Sequence, residues 1–291
     1  MINRRIDYKT LFNDMVCFTS NYIKNNNRLT CQIGISGGID STIISVLLYE
    51  VNKRLNAEKY TFTTMGYSMP TKTSNNEEYF VSTLVGNAFM DKFETKNIED
   101  ISSIIWNEFT IGENMLTNDK IFRKGNLKSR LRTMFLYDKA RGNHGFVVGT
   151  DNFTEKLLGF STIGGDALAD YMPIQNLWKT EVYGLAFYLY NKYIEEQNWA
   201  AVNAIASSIE LTPQDGLGIS ASDMDQIGAK NYYDVDDILS SFENYNGTFS
   251  EFSQTNEYKE LIEKYNEDVV NKVLQRRINN FKLNLPIEFK I

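Results

Sequence analysis

Apolar positions along the chain switch between two periods. Leu11, Phe12, Met15, Val16 and Phe18, with Tyr8 and Tyr22 at the ends, recur at helical spacing and predict an amphipathic helix over 5–25. Residues 29–35 read as a short buried strand, and the apolar run that opens at Thr42 as a helix reaching about Arg54. A second strand is predicted over 60–67 and is stopped by Pro70, which cannot donate to a ladder. Helix follows over 75–89, a short edge strand over 92–98 and helix over 98–109. This β-α-β-α-β-α order is that of an α/β protein with a doubly wound parallel sheet flanked by helices.

Residues 111–120 lose the pattern and read as a loop. Gly125 opens a strong helix to Ala140, and 145–150 is a buried strand that runs into Asp151 and Glu155. The segment 164–174 is rich in Gly and Asp, and a helix starts at Trp178. Residues 209–231 hold no sustained period. They read as a mobile active-site lid, with a disordered insertion as the alternative. Helices are predicted from Tyr232, over about 255–264 and over 266–280, and the tail 281–286 as extended. There is no internal repeat and no clear linker, so one domain over 1–291 is expected.

Composition narrows the function. A hydrophobic fraction of 42% supports a real core, and a net charge of −7 argues against broad nucleic-acid binding. Cys17 and Cys31 have neither metal spacing nor the density of a disulfide framework, which points to a reducing cytoplasm. The single His144 excludes a His-based metal cluster, and no apolar run reaches the length of a membrane span. The N-terminus does not read as a signal peptide.

The chemistry is concentrated after the first strand. Gly34, Ser36, Gly37, Gly38, Asp40 and Ser41 join a strand to a helix through a Gly-rich turn, which builds an anion site from backbone N–H groups and the helix dipole. The Lys of the common phosphate loop is missing and Asp40 stands in the turn. A carboxylate beside phosphate is repulsive without a cation between them, so Asp40 suggests a Mg²⁺ ligand. Ligands of an open α/β sheet gather at the carboxyl ends of the strands, which places Thr150 and Glu155 near this loop, with Glu155 in reach of the same cation. A solvent-exposed helix carboxylate is the alternative for Glu155. Asp170 is a candidate for a ligand hydroxyl and Lys179 for a phosphate; an ordinary loop Asp and a helix-capping Lys are the alternatives.

The SGGIDS stretch resembles the pyrophosphate loop of the N-type ATP pyrophosphatases, which also include GMP synthetase and tRNA-modifying enzymes. With KGNLKSR, GTDNFTE, GGDALADYMPIQNLWK and IGAKNYYDVDDIL in order across about 30–286, the chain is similar to the NAD synthetases. That resemblance implies an adenine nucleotide alpha hydrolase-like, Rossmann-type fold. It also implies a ligase that uses Mg²⁺ and ATP to adenylate deamido-NAD, which ammonia then converts to NAD, releasing AMP and pyrophosphate. Asp40, Glu155 and Lys179 match its catalytic positions, with Asp40 and Glu155 as metal ligands. Gly34, Ser36, Gly37, Gly38, Asp40, Ser41, Thr150, Lys179 and Ser208 match ATP contacts; Arg130, Asp170 and Lys282 match deamido-NAD contacts.

Three positions depart from that pattern. Ile163 stands where relatives carry a Lys, Ser207-Ser208 where they carry Pro-Thr, and Phe281-Lys282 where they carry His-Lys. Too few residues precede the first strand for the amidase domain of glutamine-dependent relatives, which implies free ammonia. The family resemblance also implies a homodimer with deamido-NAD across its interface. Other adenylating pyrophosphatases, GMP-synthetase-like or tRNA-modifying, and an inactive nucleotide-binding homologue are the competing readings.

Overall fold

Thr30–Gly34 forms β1, whose Cys31, Gln32 and Ile33 are all buried, as a strand covered on both faces requires. A computed structural model of the chain describes residues 4–72, 74–114, 116–213 and 222–284. β1 pairs in parallel with β2 (Thr63–Ser68) on one side and with β4 (Gly145–Val148) on the other; β3 (Lys92–Thr95) pairs in parallel with β2. The order is β3-β2-β1-β4. The chain steps outward from β1 to β3, then returns to the far side of β1. This reversal opens a crevice beyond the carboxyl ends of β1 and β4.

Side-chain alternation sorts the core into two layers. Cys31, Ile33, Phe146 and Val148 point into a cluster with the helices α1 (Tyr8–Asn25), α2 (Ile39–Ala57) and α3 (Asn76–Phe89). Met65, Tyr67 and Val147 point the other way, against α4 (Glu99–Phe109) and α5 (Thr117–Gly142). After β4 come the short α6 (Phe153–Leu158), then α7 (Lys179–Glu195) and α8 (Trp199–Glu210), which join the first layer. α9 (Asp223–Ile227), α10 (Tyr232–Tyr245), α11 (Phe249–Phe252), α12 (Asn256–Tyr265) and α13 (Glu267–Ile278) follow; with α6 they surround a third apolar cluster that includes Trp178.

Several expectations change. α2 starts at Ile39, three residues early, because the anion-loop Asp40 and Ser41 are themselves helical. α5 starts at Thr117, so 117–120 is helix and not loop; its first turns are too polar and exposed to show a period. α8 lies where the pattern marked no element. Of the expected lid, 214–221 lie outside the described residues. On its far side α9 is a regular helix, capped by the Ser222 side chain on the Asp225 N–H and closed by left-handed Gly228. Residues 281–284 form a 3₁₀ turn in place of extended chain, and 285–286 lie outside the described residues.

Candidate active site

The turn after β1 is shaped by Gly37. Its φ of +95° suits Gly, and a Cβ there would sit 2.5 Å from the Glu78 carbonyl oxygen of α3. Gly38 is the N-cap of α2 and makes no side-chain capping bond, which leaves the first-turn N–H groups directed at an incoming anion. Ser36 Oγ accepts from the Gly38 N–H at 3.2 Å and lies 3.2 Å from Ser41 Oγ, while Ser41 and Thr42 donate to the Gly38 carbonyl. The hydroxyls hold the turn in shape; they take the Gly38 N–H and leave the amides of Ile39, Asp40 and Ser41 to a ligand.

Lys179, at the first position of α7, brings three elements together. Its amine donates to Asp40 Oδ2 on α2 and, at 2.9 Å, to Glu155 Oε1 on α6. Its position is set from below: the Thr154 hydroxyl accepts the Lys179 N–H at 2.9 Å, and Asp236 of α10 accepts the Thr180 N–H at 2.8 Å, capping α7 from another helix. Asn152 completes the frame. It forms a capping box with Glu155, and its amide donates to Asp40 Oδ1 at 2.8 Å. The ring of Tyr232 lies 5.2 Å from the Lys179 amine, and the Tyr232 hydroxyl donates to Asp223 of α9 at 2.6 Å.

Burial makes these charges strongly interdependent. Lys179 is only 3% exposed. Burial works against its charge, yet Asp40 and Glu155 hold the amine well above the usual lysine range. Burial and the neighbouring Asp40 push Glu155 up to about 7 despite the lysine. Asp151, also buried, is raised well above the carboxylate range by burial and then by Asp166, Glu155 and Asp40. The ammonium contacts Asp40 and Glu155, and the raised proton affinity of Glu155 and Asp151 marks a place short of positive charge, which suits a further cation. Asp40 and Glu155 are hard oxygen donors of the kind Mg²⁺ takes. Among the described residues no three His, Cys, Asp or Glu side chains group as a metal site, so a cation here would complete its shell with nucleotide oxygens and water.

A cavity of about 450 Å³ opens at this cluster, in the size range of nucleotide pockets. Gly34, Ser36, Gly38, Asp40 and Ser41 line it from the β1 side. Thr150, Glu155, Lys179 and Ser208 line it from the β4 and helical side, and Lys282 from the C-terminal side. Gly37 shapes the turn from behind. The Ser208 hydroxyl donates to the Ile205 carbonyl, and the Lys282 amine donates to the carbonyls of Gly159 and Ser161.

Two expected positions are elsewhere in this chain. Arg130 is exposed and donates through Nε to the Ile163 carbonyl at 3.1 Å; Asp170 is exposed and accepts the Val147 N–H at 2.8 Å. Neither lines the cavity. Ile163 is 42% exposed and Phe281 64%. The structure adds Asp151, Asn152, Tyr232 and Asp236, and also Arg132 and Asp166 on the cavity wall. The sequence signal for Asn152 was its N-cap spacing to Glu155, and Asp151 directly follows Thr150; Tyr232, Asp236, Arg132 and Asp166 meet the site only through tertiary packing.

The NAD synthase family model matches residues 11–286. The chain belongs to the NAD synthase family. Among curated members, the NH(3)-dependent NAD(+) synthetase of Thermoplasma volcanium is 34% identical over 209 residues, 72% of this chain and 75% of that one. That of Helicobacter pylori strain J99 is 30% identical over 292 residues, 96% of this chain and 95% of its own. Among solved structures, an NMN synthetase from Francisella tularensis aligns with a TM-score of 0.73 at 20% identity, over 99% and 98% of the two chains. An NH3-dependent NAD synthetase from Campylobacter jejuni aligns with a TM-score of 0.68 at 22% identity, over 98% and 100%. The structural matches establish the fold: the NAD synthase sheet and its helices extend over the whole described chain.

Proposed function

We propose that the chain is an ammonia-dependent NAD synthetase: it adenylates the carboxylate of deamido-NAD with ATP, and ammonia displaces AMP to give NAD. Atoms balance without a protein nucleophile. A carboxylate oxygen attacks the α-phosphorus, pyrophosphate leaves, ammonia attacks the acyl carbon, and that same oxygen departs with AMP. The observation that carries the reading is Lys179 clamped between Asp40 and Glu155 beside the open amides of the β1 turn.

Each group then has a task. The amides of the α2 N-terminus take the pyrophosphate end of ATP, with Gly34 to Ser41 shaping the turn around it. Lys179 neutralises charge building on the leaving pyrophosphate, in a cavity where burial strengthens that interaction. Asp40 and Glu155 would hold Mg²⁺, which supplies Lewis-acid and templating chemistry to the phosphates. Thr150 and Ser208 offer hydroxyls to ATP from the cavity wall, and Lys282 flanks the deamido-NAD side.

The same reading takes 1–291 as one domain and places Arg130 and Asp170 at a dinucleotide site completed by a second copy. Support comes from the exposed apolar residues of the α4–α5 side, Ile101, Ile104, Phe109, Ile111, Leu116 and Met134. Among the described residues no helix is long and apolar enough to cross a membrane. The test is NAD formation from Mg-ATP, deamido-NAD and ammonium. Equal amounts of NAD and pyrophosphate, lost together without deamido-NAD, support the reading; pyrophosphate release indifferent to deamido-NAD overturns it.

A further inference from the structure

Lys179 is not the only cation on the cavity wall. Arg132 of α5 lines it as well, together with Asn126, Ser129 and Thr133 of the same helix. Arg130 and Arg132 are two residues apart, about 200° around a helix, so they cannot serve the same side. The exposed arginine is Arg130; the half-buried one inside the cleft is Arg132.

The Arg132 guanidinium is fixed at one corner only. Nε donates to the Met69 carbonyl at 3.1 Å, just beyond the end of β2. Among the described residues neither terminal nitrogen has a hydrogen-bond partner and no carboxylate is ion-paired with it; Asp166 and Glu78 act on it only through space. Burial pushes its pKa down, the mark of a charge without enough compensation. A guanidinium held through Nε presents its two terminal nitrogens as a planar fork, the geometry that takes two oxygens of a carboxylate or phosphate.

We infer that Arg132 is a substrate-binding residue of the cleft, and that its terminal nitrogens take two oxygens of one oxyanion of the reacting pair. The inference rests on the function proposed above for the identity of that pair. Two groups share the chemistry: a phosphate of ATP, or the carboxylate of the acceptor. Lys179 already stands with Asp40 and Glu155 at the β1 turn; Arg132 adds positive charge on the α5 wall of the same cavity.

The experiment compares wild type with R132Q and R132K. Mg-ATP binding is measured alone by calorimetry, the KM for deamido-NAD at saturating ATP and ammonium, and the Tm of each protein. Losing a charged hydrogen-bond pair is expected to weaken one substrate by roughly tenfold or more. In R132Q a rise in the deamido-NAD KM with ATP binding unchanged assigns the carboxylate; weakened ATP binding assigns the phosphate. R132K, which keeps charge and loses the fork, is expected to fall between wild type and R132Q in the same parameter. If R132Q does not fold, R132K carries the test through that parameter.

ATP binding and deamido-NAD KM both within twofold of wild type in a folded R132Q, or a loss seen only in Tm, overturn the inference. A wild-type protein that binds ATP but does not turn over deamido-NAD refutes the proposed function instead. The ATP-binding arm then decides Arg132 alone: weakened binding in R132Q upholds it, unchanged binding overturns it.

Discussion

Lys179 shows how one side chain ties the site to the fold. It is buried, it pairs with two carboxylates on two other helices, and its own backbone is held by Thr154. Replacing it with Met would leave Asp40 and Glu155 facing each other without a cation. Lys179→Met is expected to lower kcat roughly 10²–10³-fold, the cost of one preorganised charge-stabilising donor, read as NAD formation at saturating substrates. Asp236, which caps α7, gives a pH signature. Burial raises its carboxyl to about 6 from 3.8, so the folded protein holds a proton there that the unfolded chain releases. Its contribution to stability is full below about 3.8 and is lost as pH rises through about 6. Wild type should therefore gain stability relative to Asp236→Asn as pH falls from 6 to 4, measured by urea unfolding; a pH-independent difference would refute the assignment. For Glu155 spacing left a solvent-exposed helix carboxylate open beside the site reading, whereas Asp40, in its Gly-rich turn, was legible in sequence as a site candidate. Arg132 was not: only the rotation of α5 against β2 tells it from Arg130.

At the level of elements, the strands were legible and some helices were not. All four strands were marked by short runs ending in Gly, Pro or polar residues, and β3, polar and mostly exposed, lies at the edge as expected; the order of the other strands came only with the structure. The start of α5 is polar on every side, with Phe122 exposed, and gives no period to read. α8 is Ala- and Ser-rich, and its buried Ala201, Ala204 and Ser208 carry little hydropathy contrast. The β1 turn yields the sharpest prediction at this scale. Gly37→Ala would place a Cβ 2.5 Å from the Glu78 oxygen in a left-handed backbone, which pushes the turn away from α3. A stability loss of about 1–3 kcal/mol is expected from denaturant unfolding. ATP binding should fall further than that strain alone implies, because the amides of α2 move with the turn.

For the molecule as a whole, the apolar α4–α5 side and the outward positions of Arg130 and Asp170 point the same way. Both make sense if a second copy covers that side and completes the dinucleotide site. Ile104→Glu with Phe109→Glu is expected to shift a dimer toward monomer by sedimentation velocity and to raise the KM for deamido-NAD more than that for ATP. A protein that is monomeric and fully active without the changes would contradict the dimer. The central claim, that the acceptor carboxylate is adenylated in this cleft, has a direct isotopic test. Deamido-NAD labelled with ¹⁸O in its nicotinate carboxylate is turned over with ATP and ammonium, and the AMP is analysed by mass spectrometry. The account predicts one ¹⁸O in the phosphate of AMP for each NAD formed; unlabelled AMP, with NAD still produced, would contradict it.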